Sequence, residues 1–158
     1  MNIKAFQSIV YLQIRRRWLS VRVLTWSGGD FCWHGPAEIF ITADSKGQPT
    51  LMSPEAARTN PTLVGRFFTA FAHPRAFIDG FDETRALIKF YIRESGYKTR
   101  SKKLIFLVHL RDDWEGGLSD VESRALVDIC RQCGASEVRM ADQPTELTPP
   151  QVLEIARS

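Results

Sequence analysis

Cysteine is scarce, three residues in 158, and the odd number cannot pair completely. Such usage argues against a disulfide framework and fits a reducing cytoplasm. No apolar run approaches the roughly 20 residues needed to span a bilayer. The N-terminus lacks an apolar core followed by a small-residue cleavage site, so no signal peptide is expected. Linkers rich in proline, glycine or serine are missing, as are internal repeats and low-complexity segments. The chain therefore reads as one domain, long enough to bury a core without metal or disulfides. Neither sign of charge dominates. A net charge of +3 and a pI near 8.9 permit a nucleic-acid or membrane partner without arguing for one.

What is present centres on Lys103 to Pro144. Leu104 to Leu110 is a continuous apolar run whose length and Val/Ile/Phe content suit a strand buried on both faces. Ser119-Asp120-Val121-Glu122 reads as a capping box. Leu126, Ile129, Cys130 and Cys133 then recur at helical spacing, and Gly134 is the expected left-handed stop. Glu137 to Met140 supplies a second strand. Strand, helix, strand over this length predicts a βαβ unit with a right-handed crossover.

Upstream, residues 1–18 place Phe6, Ile9, Val10 and Tyr11 before Arg15, Arg16, Arg17 and Trp18. As a short helix this segment would be amphipathic, with Phe6, Ile9, Val10 and the three arginines as a membrane-surface contact. As a strand or docked helix it would pack on its own domain. Residues 19–158 form the domain proper. Leu19 to Trp26, Phe31 to His34 and Ala37 to Thr42 predict a three-stranded meander, turned by Ser27-Gly28-Gly29-Asp30 and Asp44-Ser45-Lys46-Gly47. Ser53 caps a short helix with Pro54 at its first position, and Thr59-Asn60-Pro61 ends it. Thr62 to Ala72 shows no clean period. Arg75 to Asp79 is read as a short strand. Asp82 is expected to cap a helix with Thr84, Leu87, Ile88, Tyr91 and Ile92 on one face, stopped by Gly96. Thr148 and Pro149 open a last helix with Val152, Leu153 and Ala156 on its apolar side.

Three constellations have the residue types of a site. Cys130 and Cys133 have metal-ligand spacing, with Cys32 and His34 as two further zinc ligands. Both helix cysteines fall on the apolar side, which favours buried structural thiols. A Cys32–His34–Asp30 nucleophile site has nothing else to support it. Asp112-Asp113-Trp114-Glu115 lies at the end of the central strand, where α/β sheets place ligands. Its carboxylates suit a divalent cation, but a solvated loop presenting Trp114 to a partner is favoured. His73 and His109 read as core or edge residues. Tyr97 to Lys103 is a basic loop with too few aromatics and no motif for nucleic acid.

Val121-Glu122-Ser123-Arg124-Ala125, Gly134-Ala135-Ser136-Glu137-Val138 and Gln143-Pro144 resemble the bacterial actin homologues of the rod-shape-determining MreB family. His73-Pro74-Arg75, Ile78 to Thr84 and Leu87-Ile88 resemble the same family's run into its next helix. Leu19 to Thr25 lies where the family has its first phosphate loop. The pieces are short but collinear over roughly residues 17 to 150. The resemblance implies an α/β fold, the first half of an actin-like, ribonuclease H-like protein: a mixed sheet with an N-terminal β-meander and a βαβ unit. Two departures stand out. Arg22 occupies the place of the phosphate-loop aspartate, and Leu24 replaces the glycine that lets backbone approach a phosphate. The family's second half, with its own phosphate loop and adenosine pocket, would begin just past Ser158, so the resemblance implies a truncated, degenerate first half. Glu122 matches a family residue near the attacking water, but its capping box favours a structural role.

The expectation is a non-catalytic domain with no cofactor and no metal, acting through protein contacts in the bacterial cytoskeleton. It would be cytoplasmic, with the N-terminal segment at the inner face of the membrane. Its expected partner is an MreB-type filament, with Phe31, Trp33 and Trp114 as contact residues and no nucleic acid. The alternatives are a nucleotide-binding protein completed by homodimerisation, and a weak nucleic-acid binder through Arg15 to Arg17 and Lys98 to Lys103.

Overall fold

The continuous apolar run Ile9-Val10-Tyr11-Leu12, with Ile14 one step further, needs cover on both faces, and the fold supplies it. A computed structural model describes residues 7–98, 103–114 and 117–158. Eight strands and four helices follow in the order β1 (Gln7–Arg15), β2 (Trp18–Thr25), β3 (Asp30–Pro36), β4 (Glu38–Ala43), β5 (Pro49–Met52), α1 (Pro54–Arg58), β6 (Gly65–Thr69), α2 (Phe81–Glu94), β7 (Lys103–Leu110), α3 (Asp120–Gln132), β8 (Ala135–Ala141) and α4 (Pro149–Arg157).

Five strands make a mixed sheet in the order β3-β2-β1-β7-β8, and β5-β4-β6 make a second, smaller sheet. β1 is central, antiparallel to β2 and parallel to β7. β7 and β8 are parallel and joined through α3, which is the expected βαβ unit. Side-chain alternation sends Val10, Leu12 and Ile14 into one core with Leu87, Ile88, Leu126 and Ile129 of α2 and α3. Ile9 and Tyr11 enter a second core on the opposite face, under Val152 and Ala156 of α4.

This arrangement corrects the membrane-surface reading of Ile9 and Val10 and agrees with the alternative of a strand packed on its own domain. Ile9 and Val10 are fully buried in a central strand, so neither can form the apolar side of a surface helix; Phe6 lies outside the described residues. Arg15, Arg16 and Arg17 are exposed at the β1–β2 turn. The meander is β1-β2-β3, and β4 leaves it for the second sheet. Residues 75–79 form no strand. The cap of α2 is Gly80, and Asp82 sits in its first turn, paired with Arg85 at 3.2 Å. The caps of α1 and α3 are as expected, including both hydrogen bonds of the Ser119/Glu122 box.

Candidate functional site at the carboxyl ends of the parallel strands

β1, β7 and β8 run in the same direction, and α/β sheets bind ligands at the carboxyl ends of such strands. Here those ends carry the Arg16-Arg17 turn, the segment from Arg111 to Trp114 and the connection from Asp142 to Leu147. Their polar groups are spent largely on one another. The Gln13 amide is buried; its Nε2 donates to Glu146 Oε1 at 2.9 Å, and its Oε1 accepts from Arg111 Nη1 at 2.5 Å. The Arg16 amide donates to Asp112 Oδ2 at 2.7 Å, and the Arg17 amide to the Phe71 carbonyl at 3.1 Å. Arg17 closes the turn with φ +56, the left-handed region that side chains other than glycine seldom adopt.

Below this rim lies a buried pair. Tyr11 Oη and His109 Nδ1 are 2.7 Å apart, and His109 Nε2 is 2.7 Å from the Gln143 carbonyl. A carbonyl only accepts, so Nε2 carries the proton and Nδ1 accepts from Tyr11. Tyr11 Oη in turn accepts from the Leu147 amide at 3.1 Å. Burial lowers the His109 pKa and raises that of Tyr11. The result is a neutral, satisfied network that ties α4 to the sheet. Two buried donors in this region, Arg111 Nε and Trp114 Nε1, have no hydrogen-bond partner among the described residues.

Of the residues singled out in the sequence, Trp114 is not presented to a partner. It is 8% exposed, edge-on to Phe77 at 4.8 Å and covered by the Arg16 guanidinium at 5.6 Å. Phe31 and Trp33 are half-buried: Phe31 meets Tyr97, and Trp33 stacks on Tyr91 with centroids 3.5 Å apart. Leu19 to Thr25 is not a loop but the body of β2, paired on both sides. Arg22 there grips Asp30 through Nε and Nη2, at 2.9 and 2.6 Å. That hydrogen-bonded pairing lowers the Asp30 pKa and raises that of Arg22.

Glu122 has both carboxylate oxygens engaged. Oε2 accepts from Ser119 and Oε1 from the Phe77 amide at 3.0 Å, which lowers its pKa. The side chain thus pins the 73–80 segment to α3 as well as capping it. His73 is exposed rather than in the core, and its Nδ1 accepts from the Arg75 and Ala76 amides. Burial pushes the Cys130 thiol up to about 12 and Cys133 to about 11, where thiolate ligation is unfavourable. Asp112 is committed to Arg16, Glu115 lies outside the described residues, and no cluster of three metal-ligating side chains occurs among the described residues. No described helix is long and apolar enough to cross a membrane. Missed in the sequence were two exposed apolar side chains beside the second sheet, Val64 (87%) and Phe67 (46%). The lack of a clean period across Thr62 to Ala72 was their only signal.

No family model and no curated protein matches the sequence. Solved structures do match the fold. MreB5 of Spiroplasma citri bound to ADP aligns with a TM-score of 0.56 at 14% identity, over 86% of this chain and 38% of that one. A non-polymerising MamK mutant bound to AMPPNP gives 0.55 at 12%, over 84% and 41%, and the MamK double helical filament gives 0.54 at 10%, over 85% and 41%. The chain spans about two fifths of the length of the proteins it matches, and its fold is that of an actin-like half domain.

Proposed function

We propose that this chain is a non-catalytic, cytoplasmic actin-like domain that works through protein contacts on filaments of the bacterial cell-shape cytoskeleton. The supporting observation is at the β1–β2 turn. Both of its amide N–H groups, those of Arg16 and Arg17, already donate to protein acceptors. Backbone N–H groups are what a phosphate-binding turn must offer, and the pairing of Arg22 with Asp30 removes a further cation from service. One actin-like neighbour, MamK, was solved as a double helical filament, which supports a filament subunit as the partner. The contact surface assigned here is the edge of the second sheet. On it Val64 and Phe67 are exposed, with Arg58 stacked on the Phe67 ring at 4.9 Å. An aromatic and an arginine on an exposed edge are common interface anchors.

Co-sedimentation with a polymerised MreB-type protein tests this. The chain pellets with filaments and stays in solution without them, and Phe67→Glu returns it to the supernatant while leaving its circular dichroism unchanged. A wild-type chain that never pellets with filaments defeats the proposal.

A further inference from the structure

One edge of the five-stranded sheet is β3, and among the described residues no strand pairs with its side away from β2. Its hydrogen-bonding direction follows from the two ends of the β2–β3 ladder. Ala37 donates to Arg17 at one end and Thr25 to Gly29 at the other, both at 2.9 Å. These pairs share the register of Val21 with Trp33 and Arg22 with Cys32. In an antiparallel ladder bonded and non-bonded pairs alternate. Phe31, Trp33 and Gly35 therefore turn their amides towards β2, while Cys32 and His34 turn theirs outwards. The side chains of Cys32 and His34 stand on the same face of the strand, two residues apart, and both are exposed. Neither the thiol nor the imidazole nitrogens have a hydrogen-bond partner among the described residues; His34 only leans on Trp18, with ring centroids 6.4 Å apart.

An unpaired edge strand is a template for a further strand, and a second copy of β3 is self-complementary. β3 runs from Asp30 to Pro36, so its midpoint is Trp33. A two-fold antiparallel pairing that uses the whole strand has its axis there. That register sets Cys32 of each copy opposite His34 of the other, as the hydrogen-bonded pairs that the outward amides require. Paired Cα atoms then lie about 5.5 Å apart, and Cys32 and His34 within one strand about 6.8 Å apart. Two thiols and two imidazoles stand at the corners of this rectangle on one face. The reach of these side chains closes it around one ion with zinc–sulfur and zinc–nitrogen bonds of about 2.3 and 2.0 Å. Trp33 from each copy meets its mate on the other face, already stacked on Tyr91.

We infer that Cys32 and His34 form half of a Cys2His2 zinc site that is completed by a second copy of the chain across β3. Each thiol gives up its proton to solvent as the metal binds, with no change of oxidation state. One copy holds only two ligands, so the site exists only in the dimer. The inference goes beyond the filament reading and does not depend on it.

The test uses the full chain in a metal-free reducing agent. Light scattering measures mass with EDTA and with zinc chloride, and cobalt(II) serves as the spectroscopic probe. The expected result is a monomer in EDTA and a dimer with zinc. Cobalt saturates at one ion per two chains, with tetrahedral ligand-field and thiolate charge-transfer bands. Cys32→Ser and His34→Ala each abolish the dimer, and each lowers cobalt affinity by more than the roughly 10–100-fold of an outer-shell change. The double variant Cys130→Ser with Cys133→Ser retains the site. Mass unchanged by zinc overturns the inference, as does one cobalt per chain or a dimer that survives Cys32→Ser.

Discussion

His109 is fully enclosed at 1% exposure, and its two nitrogens are matched only when it is neutral. Protonation at Nδ1 would turn an acceptor into a donor facing Tyr11 Oη, which already accepts from Leu147. Burial accordingly holds its pKa below the ordinary 6.5. The sign of the pH effect follows. Below about pH 6.5 the unfolded chain takes up a proton here that the folded protein refuses, so stability falls as pH drops. The fall levels off once the folded-state pKa is passed. Within that window the slope reaches at most about 1.4 kcal/mol per pH unit. Urea unfolding between pH 7.5 and 5 should show this decline, and His109→Gln should flatten it. An equal slope in the variant would mean that other groups carry the effect.

At the level of elements, β1 is the strand on which both cores depend. Ile9→Ala should cost about 2–5 kcal/mol and lower Tm by about 5–15 °C for a chain of this size. Calorimetry decides between this and a surface-helix role, in which truncating Ile9 would leave Tm nearly unchanged. The elements that were legible carry local signals. The capping box at Ser119, the glycine stop at Gly134 and the apolar run of β7 act within a few residues of one another. β1 was harder to read because Phe6, Ile9 and Val10 fit helical spacing, while its apolar residues also fit a strand buried on both faces. Only partners nearly a hundred residues away, such as Phe106 opposite Val10, decide between the two. β6 was missed for a related reason: Phe67 and Phe68 face opposite ways in a five-residue strand, too short to establish a period. The network of Gln13, Arg111 and Glu146 was beyond reach, since its members are 98 and 133 residues apart.

For the whole molecule, the legible signal was collinearity. Several short fragments in the right order pointed to an actin-like half domain, and the fold agrees although identity to its structural neighbours is only 10–14%. The fold alone leaves the nucleotide question to the groups at the strand ends. An anion arriving there would find two donors without a partner among the described residues, Arg111 Nε and Trp114 Nε1. It would also meet Asp112, with the turn amides of Arg16 and Arg17 already donated. Breaking the Arg16–Asp112 bond to free one amide would leave a carboxylate beside the phosphate, which like-charge repulsion disfavours. Mg-ATP and Mg-ADP should therefore give no saturable heat in isothermal titration at micromolar to hundred-micromolar concentrations, and Tm should not rise with either nucleotide. Micromolar binding that Glu122→Ala abolishes would instead make the chain a nucleotide-responsive protein and remove the basis for the non-catalytic reading.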